Sequence, residues 1–176
     1  MDILVEQVVK KNKNSKYWLN IFLIIFGAIL IPVGLTILSL ILKKAYVFYI
    51  ALFAALFCVY GAWMLVTGQN IEYEYATLSG TFRADKIIAK RNRKSIVKLD
   101  IKTIDDMFKY SDKEMASRKF NKVYYAGAQE YSDENYVVTF VSEAKGKCAL
   151  VFSPKEKILE GMRPYLRHDI VRKMFL

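Results

Sequence analysis

Side chains able to do chemistry are few in this chain, and the densest group of them is basic. Lys90, Arg91, Arg93 and Lys94 fall within five positions, with Lys86 and Lys98 close by. At a hairpin tip such bases could converge on a phosphorylated headgroup, because guanidinium forks and ammonium groups match phosphate oxygens. The same run also suits diffuse attraction to anionic lipid, or a solvated turn whose charge discourages edge-to-edge aggregation. Asp105-Asp106 is a carboxylate pair, but neighbours on a strand point to opposite faces and act together poorly. His168 is the single histidine. It is expected near the end of a C-terminal helix, where an imidazolium suits the last carbonyls, and it lacks a partner for acid–base work. Cys58 and Cys148 lie in unlike segments and make no disulfide framework. Gly146-Lys147-Cys148 has neither the spacing nor the hydroxyl of a phosphate loop. No metal set and no cofactor motif is present, and the residues argue against an enzyme.

The elements that must position these residues begin with two apolar stretches, 17–42 and 45–67, separated only by Lys43 and Lys44. Each has the ~20 residues a helix needs to cross ~30 Å of hydrocarbon, and neither contains a charge. The pattern predicts a transmembrane helical hairpin. Tyr17, Trp18 and Trp63 suit the headgroup level. Pro32 and Gly34 are expected to kink the first helix. Ala54, Cys58 and Ala62 recur every four residues and form a small-residue ridge for helix packing, either within the hairpin or between copies. A secretory signal is a poorer reading, since the apolar core is too long and no A-x-A-like site follows.

Residues 1–16 form a basic N-terminal segment. Over residues 3–9, Leu4 with Val8 and Val5 with Val9 are four apart, which fits a short amphipathic helix on the membrane surface or a loose tail. Lys10, Lys11, Lys13 and Lys16 precede the first span, against Lys43 and Lys44 in the loop. By the positive-inside rule this places both termini in the cytoplasm and the protein, multi-pass, in the cell membrane.

Residues 69–176 read as a soluble domain holding 21 of the 27 Lys and Arg and 15 of the 17 acids. Ile71, Tyr73 and Tyr75 alternate with Glu72 and Glu74, a half-exposed strand. Ser79-Gly80 is a turn into 81–90, and a basic turn at Arg91-Asn92-Arg93 leads to 95–102. Further strands are expected over 104–110, 122–129, 135–143 and 148–152, with a polar stretch over 112–121 that reads as a loop or a loop with a helical turn, and a hairpin turn at 144–147. Ser153, Pro154 and Glu156 spell a capping box with proline at the first helical position, which predicts a helix from about 154. Pro164 must kink or split it. Seven tyrosines (73, 75, 110, 124, 125, 131 and 136) suit strand packing, or alternatively a peptide groove.

The fold class is therefore α+β: a two-helix transmembrane hairpin, then a mostly antiparallel β-domain of about seven strands closed by a helix. That element order over residues 70–168 resembles the pleckstrin-homology-like (PH-like) fold. The run Met-Asp-Ile-Leu-Val-Glu-Gln-Val-Val-Lys-Lys at positions 1–11 and the run Asp85-Lys86-Ile87-Ile88-Ala89-Lys90-Arg91 resemble an uncharacterised two-span membrane protein family of Gram-positive bacteria with a C-terminal PH-like domain. The resemblance implies an architecture and a compartment more than an activity. The expectation is a non-enzymatic membrane-anchored module that scaffolds or recruits a protein partner at the cytoplasmic face, assisted by anionic lipid. The alternative is a small accessory subunit of a larger membrane complex, with the hairpin as the interacting part and the β-domain regulatory. A homo-oligomer through the ridge stays open, and the short linker to a membrane argues against nucleic acid.

Overall fold

A computed structural model describes residues 4–175 and divides the chain into two compact units, one from Lys13 to Asn70 and one built from the segments on either side of it. The first unit is the hairpin. Helix α1 spans Ser15–Leu42 and α2 spans Ala45–Gly68. Asn14 caps α1, its side chain accepting from the Tyr17 N–H at 3.2 Å, and Lys43 ends it in the left-handed region at φ 50°. Pro32 does not break α1 into two elements. One turn later the Thr36 hydroxyl donates to the Pro32 carbonyl at 2.8 Å. Of the most apolar window of each helix, 0% and 6% is buried in the protein, so neither is the core helix of a soluble fold. Both are long and apolar enough to cross a membrane.

The second unit holds, among the described residues, eight strands. One sheet has the order β1(Val5–Lys10), β2(Ile71–Leu78), β3(Thr81–Ile88), β4(Asn92–Asp100), all antiparallel. The other has the order β5(Ile104–Lys109), β7(Tyr136–Ser142), β8(Gly146–Phe152), β6(Lys122–Tyr125). Within it β6 runs parallel to β8 and the other pairs are antiparallel. Helix α3 (Asp112–Ser117) lies between β5 and β6 in the chain, and α4 (Glu156–Met162) and α5 (His168–Phe175) follow β8.

The N-terminal segment corrects the sequence reading. Residues 5–10 are neither a surface helix nor a tail but an edge strand paired with β2, from Val5 opposite Thr77 to Lys10 opposite Glu72. Spacing of four is an even number, so Val5 and Val9 share a face of a strand as readily as of a helix. Residues 4–12 thus belong with the β-unit, and a domain starting at 69 is incomplete without them. Ile3, the first residue of that expected helix, lies outside the described residues.

Turn chemistry explains the hairpins. Ser79 (φ 48°) and Gly80 (φ 82°) join β2 to β3 as a two-residue turn with both residues at positive φ, the form whose twist matches the strands. The next turn sits at Ala89 (φ 54°) and Lys90 (φ 56°), two positions before the expected Arg91-Asn92-Arg93, and β4 has already begun at Asn92. The Arg91 N–H closes it on the Ile88 carbonyl at 3.1 Å.

One core lies between the sheets and the C-terminal helices. Tyr75, Phe82 and Phe152 pack ring to ring, and Ile158, Met162 and Ile170 come down from α4 and α5. A second, smaller core of Phe108, Tyr110, Val137, Ala149 and Val151 packs against Met115 and Phe120.

The expected capping box is not formed. Helix α4 starts at Glu156 with Lys155 as its cap, and Ser153 turns inward instead. Its hydroxyl accepts from the Ala128 N–H (3.0 Å) and donates to Asn135 Oδ1 (2.5 Å), while its N–H reaches the Tyr75 hydroxyl at 3.2 Å. Gln7 of β1 donates to the Ser153 carbonyl at 3.0 Å. Pro164 does split the helical region, into α4, a 3-10 turn over Arg163–Tyr165, and α5.

Candidate functional site: two basic surfaces of the β-unit

The β3–β4 hairpin separates the four bases that the sequence groups. Arg93 and Lys94 are consecutive in β4, so they occupy opposite faces of the sheet. Arg93 reaches Glu74 of β2 at 2.5 Å. Lys94 lies directly opposite Lys86 of β3. Lys90 and Arg91 sit at the exposed turn. With one base turned to a carboxylate and another placed opposite a like charge, the four do not form a single convergent cradle.

A second basic surface has no counterpart in the linear sequence. Pairing of β6 with β8 sets Lys122 opposite Cys148, and the Asn121 N–H donates to the Lys147 carbonyl at 2.9 Å. This lays the segment 118–122 along the β7–β8 hairpin. Arg118, Lys119 and Lys122 thereby meet Lys145 and Lys147, which lie more than twenty positions away in the chain. Tyr124 is the shared neighbour. The Lys145 ammonium donates to its hydroxyl at 2.9 Å, and the Lys122 ammonium stands 5.2 Å from its ring centroid. The Tyr124 hydrogen bond holds the Lys145 pKa above the ordinary lysine value, so its charge persists across working pH.

Beside these bases lies a cleft of about 670 Å3, lined by Asp106, Arg118, Lys119, Phe120, Val141 and Lys147 among others. Asp106 is already neutralised. Arg118 donates to it at 2.8 Å and Lys173 of α5 at 3.2 Å. Burial raises its pKa, but those hydrogen bonds outweigh burial and hold the carboxyl below the usual aspartate range. Arg118 also stacks 4.2 Å from the centroid of the Phe108 ring. Asp105, at the bulge between β5 and β7, is exposed, whereas Asp106 is bonded to Arg118 and Lys173.

Other expected residues fall as follows. Ala54, Cys58 and Ala62 lie on the half-buried stripe of α2 that begins at buried Val47 and Ala51, and the matching stripe of α1 ends at buried Ser39. That stripe is the side of α2 that is partly covered within the hairpin. His168 opens α5 rather than closing a helix, because the split at Pro164 restarts the helical phase there. The tyrosines divide: Tyr73 and Tyr75 lie in the main core, whereas buried Tyr110 and half-buried Tyr125 of the smaller core meet exposed Tyr131 in a ring cluster. Among the described residues no group of His, Cys, Asp or Glu could hold a metal ion.

No curated protein and no solved structure matches the chain. A family match does exist, and it covers residues 1–172, which includes the hairpin and the strand that precedes it. Two sheets closed by C-terminal helices, carried on a chain with two membrane-length helices, therefore have a family to which they are assigned: the chain belongs to the one described as Bacterial PH-like domain (DUF6106).

Proposed function

We propose that the protein is a non-enzymatic, membrane-anchored module whose PH-like unit recruits or scaffolds a protein partner at the cytoplasmic membrane face. The observation that carries this reading is how the strands use the chain. β1 precedes the hairpin and β2 follows it, and the two are paired along their length. The β-unit is therefore tied to the hairpin through two connections, Lys11–Asn14 and Gln69–Asn70. Such a unit cannot leave the membrane while the helices remain in it. The cytoplasmic side follows from the lysines before α1, and the basic surfaces of the β-unit would let anionic lipid assist in orienting it.

The test is affinity capture of the tagged full-length protein from its native membrane in mild detergent, with mass spectrometry. Soluble proteins recovered with it, and lost on deleting residues 69–176, support recruitment. Stoichiometric recovery of one membrane protein that survives the deletion would instead make the chain an accessory subunit acting through its hairpin. A reporter fused to the C-terminus reads the topology, and an extracytoplasmic signal would overturn the assigned side.

A further inference from the structure

We infer that the cleft beside the second basic surface docks a short acidic segment of the protein partner, one that carries an apolar side chain. This deepens the recruitment reading above and rests on it. Clefts of a few hundred Å3 with an apolar floor and a few placed charges are the usual form of a binding site, and this one has about 670 Å3. Its apolar lining comes from Phe120, Phe140, Val141 and Cys148, of which Val141 is 61% exposed although it lies on a strand. Its charge is asymmetric. Asp106 and Glu114 are engaged by Arg118, and Asp106 again by Lys173. Lys119 and Lys147 line the same cleft and make no ion pair among the described residues, with Lys122 and Lys145 adjacent. Asp105 adds one acid to the lining.

The bases that remain are lysines, compact charges on flexible stems. The one guanidinium, the group best shaped for bidentate phosphate binding, already serves carboxylates of its own chain. That favours peptide carboxylates with an apolar anchor over a phosphorylated headgroup.

The experiment uses the full chain in nanodiscs of zwitterionic phosphatidylcholine, with a fluorescein-labelled peptide of alternating glutamate and leucine followed by anisotropy. Saturable binding is expected, weakened about tenfold or more by Lys119→Glu with Lys147→Glu, which is ~1.4 kcal/mol. Val141→Ser, at an exposed site that does not threaten folding, should weaken it several-fold. Lys90→Glu with Lys94→Glu at the other basic surface should leave it unchanged. Absence of binding, equal sensitivity to both charge reversals, or equal binding of polyglutamate would overturn the assignment. Displacement of the probe by phosphatidylglycerol vesicles through the same lysines would overturn it in favour of lipid. If the peptide fails while partner capture still needs residues 69–176, this inference falls and recruitment stands. If capture does not need them, both fall.

Discussion

Replacing Ser153 with alanine separates two accounts of the same residue. As a helix cap, its loss would cost ~1 kcal/mol and loosen α4. As the hub seen in the structure, its hydroxyl serves two partners. It donates to Asn135 Oδ1 at 2.5 Å and accepts from the Ala128 N–H at 3.0 Å. Asn135 is buried, so its carbonyl oxygen would lose its partner away from water. Leaving a buried polar group unpaired costs ~1–3 kcal/mol, and the half-buried Ala128 amide adds the lower end of that range. The expected total is ~2–4 kcal/mol, which is roughly a 30- to 1,000-fold faster opening. Hydrogen exchange of the full-length protein in micelles, read by mass spectrometry, should show that acceleration over residues 126–135 and little change over 156–162. Gly127 supplies an independent check. A Cβ placed there would stand 2.8 Å from Asn135 Oδ1 and 2.9 Å from Ser153 Oγ. Gly127→Ala should therefore open the same segment. Combining Ser153→Ala with Asn135→Ala should be less than additive, since both remove one bond. Faster exchange confined to α4, with 126–135 unchanged, would refute the hub.

Three further outcomes follow from particular residues. The turn at Ala89 and Lys90 holds two non-glycine residues at positive φ, each disfavoured by ~1–2 kcal/mol, so Ala89→Asn with Lys90→Gly should stabilise the β-unit by about that amount in urea unfolding. Asp106 has a folded pKa below the usual 3.8; its charge therefore contributes stability above that value, which is lost as pH falls through the lower folded pKa, and Asp106→Asn should flatten this acid limb in a pH series of melting curves. Leucine at Ala54, Cys58 and Ala62 together should overpack the α1–α2 contact by ~1–3 kcal/mol or more in thermal unfolding, whereas Phe57→Leu on the exposed side should not.

Much of the architecture is legible in linear order because the signals are local. Charge-free stretches of membrane length need no tertiary information to be recognised. Gly80 accepts positive φ because it has no Cβ, and Pro164 interrupts a helix because it lacks an amide donor. Alternation from Ile71 to Tyr75 reports a half-buried strand for the same reason. These readings depend on residues within a few positions of one another.

What escaped the sequence depends on partners far away in it. Residues 5–10 have a spacing shared by helix and strand, and only the open edge of β2 decides between them. Ser153 has the type and spacing of a cap, yet Asn135 and Ala128 offer its hydroxyl buried partners that an exposed helix end cannot match. Arg91, Arg93 and Lys94 look convergent on paper, but strand alternation sends Arg93 to Glu74 and Lys94 to the other face. The opposite happens at Arg118, Lys119, Lys122, Lys145 and Lys147, which are unremarkable in order and meet only because β6 pairs with β8. The sequence alone determined the hairpin, the β-rich unit and its basic balance, since each is a sum over neighbours. Which charges face one another was decided by strand pairing, a long-range choice that no local pattern contains.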